Sequence, residues 1–201
     1  MPAKLLNMEP QRRDAVLNAA LKEFSSQGYD KASTNIMAKE AGISKALMFH
    51  YVNSKQELYL IVHDYFSNLI KKEYWEQMNF DEKDIFARLQ QSYLLQLKLS
   101  EKYPWILEFS KLSHTENSDT ARPADCYPKL FDNIDETKFR KGLDIETCKQ
   151  FIFWSNVGFT NEILKEIRSM EVAHIDSDAF IRRLNHYFAE LRKIFYTSET
   201  V

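Results

Sequence analysis

The sequence predicts an all-α chain. An N-terminal three-helix head of helix-turn-helix type is joined by a long helix to a C-terminal helical domain. Three observations carry this. Only four glycines and five prolines occur in 201 residues, too few turns for an all-β protein of that length. Apolar residues recur at spacings of three and four through most of the chain. Near the N terminus, two short helical segments flank a glycine and follow a longer helix, which is the helix-turn-helix arrangement.

The first helix is expected over residues 10–27. Pro10 suits a first turn, Val16, Ala19, Ala20 and Phe24 share a face, and Gly28 stops it. Ser33 or Thr34 caps a second, short helix that ends at Gly42 and buries Met37, Ala38 and Ala41. Ser44 caps a third helix running to about Val52, and a fourth is expected from Lys55 to Met78. In the third helix Met48 and Val52 are four apart and point inward. Ala46, Leu47 and His50 lie on the opposite face. An outward Leu–His pair wastes apolar area unless something covers it. Ser44 and Lys45 stand where free N–H groups and the helix dipole favour phosphate. The expected partner is therefore a DNA major groove, with Lys45 and Lys55 straddling the backbone.

Charge is distributed to match. Residues 1–55 hold eight Lys/Arg against five Asp/Glu, whereas the remainder holds nineteen against twenty-four. A basic head on an acidic body is the asymmetry expected when one part meets phosphate and the other does not. No apolar run approaches the ~18 residues of a membrane span, and the start lacks a signal-peptide apolar region. A cytoplasmic location and no membrane partner are expected. Cys126 and Cys148 have neither ligand spacing nor a disulfide framework.

Residues 12–59, RRDAVLNAALKEFSSQGYDKASTNIMAKEAGISKALMFHYVNSKQELY, resemble the DNA-binding domain of the TetR family of bacterial transcription regulators. The matching pieces are an apolar helix ending in F…GY, then ST…MA..AG.S, then K.L.FHY..SK.EL. Within that resemblance Ala46 stands where many members have glycine, Phe49 where many have tyrosine, and Ile36 where a polar residue is commoner. The expected DNA-binding set is Ser33, Thr34, Ser44, Lys45, Ala46, Leu47, Phe49, His50, Tyr51 and Lys55. Domain limits are expected at 1–54 and 55–201.

The body continues as helices. Ile85, Leu89, Tyr93 and Leu97 form a stripe that ends at Tyr103-Pro104, and Pro104 opens a helix reaching about His114. Residues 115–128 read as a polar loop, and 128–140 as a weak helix. Residues 144–169 carry Ile145, Cys148, Ile152, Phe159, Ile163 and Ile167 on one stripe, with Phe151, Trp154 and Leu164 on other sides. The last helix, 176–196, carries Phe180, Leu184, Tyr187, Phe188, Leu191 and Phe195. Surplus apolar faces on these two helices suit pairing with their copies as a four-helix bundle. The family resemblance implies a homodimer through 144–169 and 176–196.

It also implies a near-palindromic double-stranded operator, repression as the default with activation or ligand-independent regulation as the alternative, and an unidentified small apolar or aromatic effector that releases DNA. Phe66, Tyr93, Trp105, Phe109 and Trp154 are the expected ligand-binding residues. No enzyme activity, cofactor or metal is expected. Glu171 and His174 make one copy of the Glu-x-x-His spacing of di-iron bundles, but no other histidine has a glutamate three residues before it. No nucleotide-binding glycine loop, zinc-protease helix or nucleophile elbow occurs.

Overall fold

A computed structural model describes residues 4–110, 129–169 and 176–197. The expected loop 115–128, Cys126, His114 and the Glu171/His174 pair lie outside the described residues. Among those described no strand occurs, and the isolated bridge Phe139–Tyr196 is the extended pairing found. The all-α class is as the sequence predicts.

The chain divides into two compact units. The first holds the described residues up to Trp75 and from Lys102 to Ser110; the second holds Glu76–Glu101 and those from Lys129 onward. The expected limit between residues 54 and 55 is not where the units part. The fourth helix packs on the first, and its Leu58, Val62 and Phe66 are fully buried.

In the first unit α1 spans Pro10–Lys31, and the Glu9 carboxylate accepts from the N–H groups of Gln11 and Arg12. The helix is broken at Gly28 (φ 71°, ψ 169°), where the sequence places its end, and one further turn follows. Val16, Leu17, Ala20, Leu21 and Phe24 form its buried face. Helix α2, Thr34–Glu40, packs on α1, and α3, Lys45–Tyr51, packs on α2. Gly42 makes the turn between them at φ 68°. There the Ile43 N–H reaches the Ala38 carbonyl at 3.0 Å and the Gly42 N–H reaches Lys39 at 3.1 Å, a left-handed C-terminal cap that consumes the last carbonyls of α2.

Helix α4, Lys55–Ile70, is shorter than expected. From Lys71 to Trp75 the backbone widens into a π turn, which buries Tyr74. Its start is capped twice: Ser54 Oγ accepts the Glu57 N–H at 3.0 Å, and Glu57 accepts the Asn53 N–H at 2.6 Å.

The second unit is built on α5 (Ile85–Lys102, whose last residue lies in the first unit), α6 (Ile145–Ser169) and α7 (Ser177–Phe195). Phe86, Leu89 and Tyr93 of α5 share one core with Cys148 and Ile152 of α6 and Leu184, Phe188 and Phe195 of α7. Asp84 fastens this core. Its Oδ1 caps α5 by accepting from Phe86 and Ala87, while Oδ2 pairs with Lys138 at 2.8 Å and Arg192 at 2.7 Å.

The weak helix expected over 128–140 does not form. Residues 129–131 make one helical turn, Asn133 takes φ 52°, and a 3-10 turn covers Glu136–Lys138. Arg88, which is fully buried, holds this irregular path. It draws the carbonyls of Leu130 (3.0 Å) and Asp132 (2.7 Å) onto one nitrogen and that of Phe80 (2.9 Å) onto another.

Two predictions follow from these contacts. A Cβ at Gly42 would meet nothing within 4 Å, so Gly42→Ala should cost only the left-handed backbone penalty, about 1–2 kcal/mol, seen as a lowered denaturation midpoint. Burial alone would raise the Asp84 carboxyl; the Arg192 and Lys138 hydrogen bonds and the Ala87 N–H outweigh it and hold it at about 2. A depressed carboxyl stabilises above its unfolded value, near 3.8, and the gain is lost as pH falls through the folded value. Stability of the second unit should drop by about 2 kcal/mol between pH 5 and pH 1. Acid titration of Asp84→Asn by circular dichroism should lack that component.

Candidate nucleic-acid interface

Helix α3 is seven residues long, too short to persist alone in water, so its buried face decides how it is held. Met48 and Val52 are buried at 0% and 1% exposure, as their spacing predicts. Ser44 is its N-cap and accepts the Leu47 N–H at 3.0 Å. Ser44, Lys45, Ala46 and His50 are exposed, whereas Leu47, Phe49 and Tyr51 are half-buried. Leu47 therefore contributes an edge to the outer face, not a whole side chain. The Lys45 ammonium lies 5.9 Å from the centre of the Phe49 ring, and the His50 and Tyr51 rings meet edge to face at 5.2 Å. The outer face thus offers a cation, an imidazole, a hydroxyl at the cap and small apolar surface. That set suits phosphate and base edges together.

Ser33 occupies the N-cap position of α2, yet its side chain makes no capping bond. The Ser33 N–H is instead taken at 2.9 Å by Glu23, a buried carboxylate on α1. Ser33 and Thr34 are half-buried at the start of α2. Glu23 escaped the sequence reading, although its position could have shown it. It lies three residues after Ala20 and seven after Val16, on the apolar stripe of α1, where a carboxylate needs a donor.

Lys55 is held within the chain. Its placement at the start of α4 suggests a phosphate contact, but its ammonium donates to the carbonyls of Tyr29 (2.8 Å), Asp30 (3.1 Å) and Ala32 (3.4 Å) and lies 4.7 Å from the centre of the Tyr29 ring. An ammonium has three donors, and all three are engaged within the chain.

The five expected ligand-binding residues do not assemble within either unit. Phe66, Trp105 and Phe109 belong to the first, Tyr93 and Trp154 to the second. Phe66 and Phe109 are buried and Trp105 half-buried; the Phe66 ring lies 4.8 Å from Tyr103 and 6.3 Å from Phe109. Tyr93 is core: its hydroxyl lies 3.1 Å from both oxygens of Asn156 and 2.8 Å from Thr160 Oγ1. Trp154 lies on the surface of the second unit. It is 59% exposed and meets Phe151, one turn earlier, at 5.9 Å. It sits off the α6 face that buries Cys148, Ile152 and Asn156, so it belongs to an outer stripe. A surface groove of about 580 Å³ does run along α4, between Leu6, Leu60, Ile61 and Leu69 with Glu57 and Asp64, and none of the five lines it.

The family described as bacterial regulatory proteins, tetR family, matches residues 16–62. A regulator of the helix-turn-helix type from Agrobacterium fabrum (strain C58 / ATCC 33970), BetI, is 44% identical over 55 residues, 27% of each chain. BetI from Rhizobium meliloti (strain 1021) is 42% identical over 53 residues, 26% of each. The match spans about a quarter of the length of these curated relatives. Among solved structures, a TetR family transcriptional regulator from Chloroflexus aurantiacus J-10-fl superimposes with a TM-score of 0.59 at 16% identity, over 96% of this chain and 97% of that one. The ketosteroid transcriptional regulator KstR2 of Mycobacterium tuberculosis does so with 0.59 at 16%, over 95% and 98%. At 16% identity, the likeness to these solved structures is one of fold.

Proposed function

We propose that this chain, whose residues 16–62 match the tetR family of bacterial regulatory proteins, is a transcriptional regulator that binds a near-palindromic operator as a homodimer, represses, and releases DNA when a small apolar or aromatic ligand binds. One observation carries the DNA reading. Helix α3 buries Met48 and Val52 while leaving Ser44, Lys45, Ala46 and His50 exposed on the other side. Lys45 and the cap of α3 meet phosphate; Ala46, Leu47 and His50 meet base edges or the thymine methyl. Phe49 and Tyr51 support that face, and Ser33 and Thr34 meet the backbone from α2.

The dimer reading rests on the second unit. Phe151, Trp154 and Val157 stand three residues apart on α6 and are 51%, 59% and 42% exposed; Ile194 on α7 is 56% exposed. Scattered exposed apolar residues are ordinary, but a three-turn stripe containing a tryptophan marks an interaction surface. A two-fold pairing of α6 and α7 with their copies would cover it. One head makes few contacts, and two acting together on half-sites one helical turn apart supply tight binding. Ligand release is drawn from the family's habit. An effector acts only through differential affinity for the DNA-competent state, with couplings of about 1–3 kcal/mol.

Lys45→Ala should weaken binding to every duplex and lower the slope of log affinity against log salt by about one unit, measured by fluorescence anisotropy. An unchanged slope would remove Lys45 from the phosphate set. Trp154→Asp should convert the protein to monomer at micromolar concentration with unaltered helix content, and operator affinity should fall by about 10²-fold or more. Sedimentation that still shows a dimer would displace the interface from α6.

A further inference from the structure

Lysine at the first position of a helix sits against the positive end of that helix's own dipole. Lys55 holds this position in α4, so something else must favour it there. That is the end of α1. The last carbonyls of a helix lack intrahelical partners. Here Gly28 O is taken by the Ala32 N–H at 3.2 Å. The next free acceptors, Tyr29 O, Asp30 O and Ala32 O, all converge on Lys55 Nζ. The ammonium also lies over the Tyr29 ring, and that ring meets Phe24 and Tyr59 at 6.2 and 5.1 Å. From the other side Glu23 holds the Ser33 N–H. A cation from α4 and an anion from α1 thus grip the same few residues, 29–33, and α2 begins at the next one.

We propose that Lys55 is a positioning residue of the DNA interface, which fastens the connection between α1 and α2 from the start of α4 and does not pair with phosphate. The inference rests on the DNA-binding reading and deepens it. Because α3 packs on α2, the place where α2 starts sets how α3 is presented. Lys55 therefore acts on operator affinity through geometry, while Lys45 acts through charge. It also links α4 to the reading helix by an interaction that lies wholly inside the first unit.

The two roles differ in salt dependence. A phosphate contact releases a counterion and an internal one does not. The test uses the full chain, a duplex selected by the wild type from a random pool, and the variants Lys55→Met and Lys45→Ala. Lys55→Met should bind roughly tenfold more weakly, within what coupling through packed elements supplies, with the wild-type salt slope. Amide hydrogen exchange at Ala32 and Ser33 should be faster in it. Unchanged affinity, or a slope lower by about one unit with unchanged exchange, overturns the proposal.

If Lys55→Met does not fold, the wild type decides. The ammonium resonance of Lys55, seen by proton–nitrogen correlation, should be protected in the free protein and should not move when the duplex is added. A resonance that becomes protected only with DNA overturns it. If the wild type selects no duplex, the DNA-binding reading fails instead, and the free-protein resonance still reports whether the fastening exists.

Discussion

Seven residues of helix do not hold their shape in water, and the exposed face of the N-terminal head is carried by one such helix packed on another of equal length. Everything in the first unit answers that constraint. Met37, Ala38, Met48 and Val52 are buried to near completion, so α2 and α3 are helical because they are packed, not because they are long. Gly42 closes the corner by consuming the free carbonyls of α2. Glu23 and Lys55 fix the entry to α2 with charge-assisted hydrogen bonds, which are stronger than neutral ones. The exposed face of α3 can be polar and basic because Met48 and Val52 on the other side hold the helix to the head.

The second unit solves a different problem with the same chemistry. Its helices are long enough to persist, and the difficulty lies in the irregular stretches between them. Arg88 and Asp84, four residues apart at the start of α5, take opposite parts. Arg88 gathers the carbonyls of residues 80, 82, 129, 130 and 132. Asp84 gathers two N–H groups and two cations, one from Arg192 near the end of α7. Buried charge is tolerated only when satisfied, so these contacts specify where the loops run. The bridge between Phe139 and Tyr196 then ties the segment before α6 to the residue after α7.

Charged residues were also where reading the sequence fell short. Apolar positions follow period and face, and Val16, Ala20, Phe24, Met48, Ile152, Leu184 and Phe188 are buried where their spacing puts them. Lys55, Glu23 and Arg88 obey no such period. Their long side chains reach partners 26, 10 and 42 residues away, and the direction of reach is invisible in one dimension. Trp154 failed for a related reason. On a helix apolar nearly all round, composition does not say which side faces the core.

The sequence by itself determined the helical class, the limits of the first three helices to within a few residues, the turn at Gly42, and the inward and outward sides of α3. These follow from local spacing, capping and backbone geometry, and they sufficed to place a helix-turn-helix head at the N terminus. Tertiary structure alone decided that α4 packs with that head, that residues 129–139 stay irregular, that the aromatics expected to share one pocket are divided between two units, and that Lys55 spends its donors inside the chain. Each of these depends on which distant backbone carbonyl or apolar face lies within a few ångströms. That is fixed by how the helices pack, not by the order of residues along any one of them.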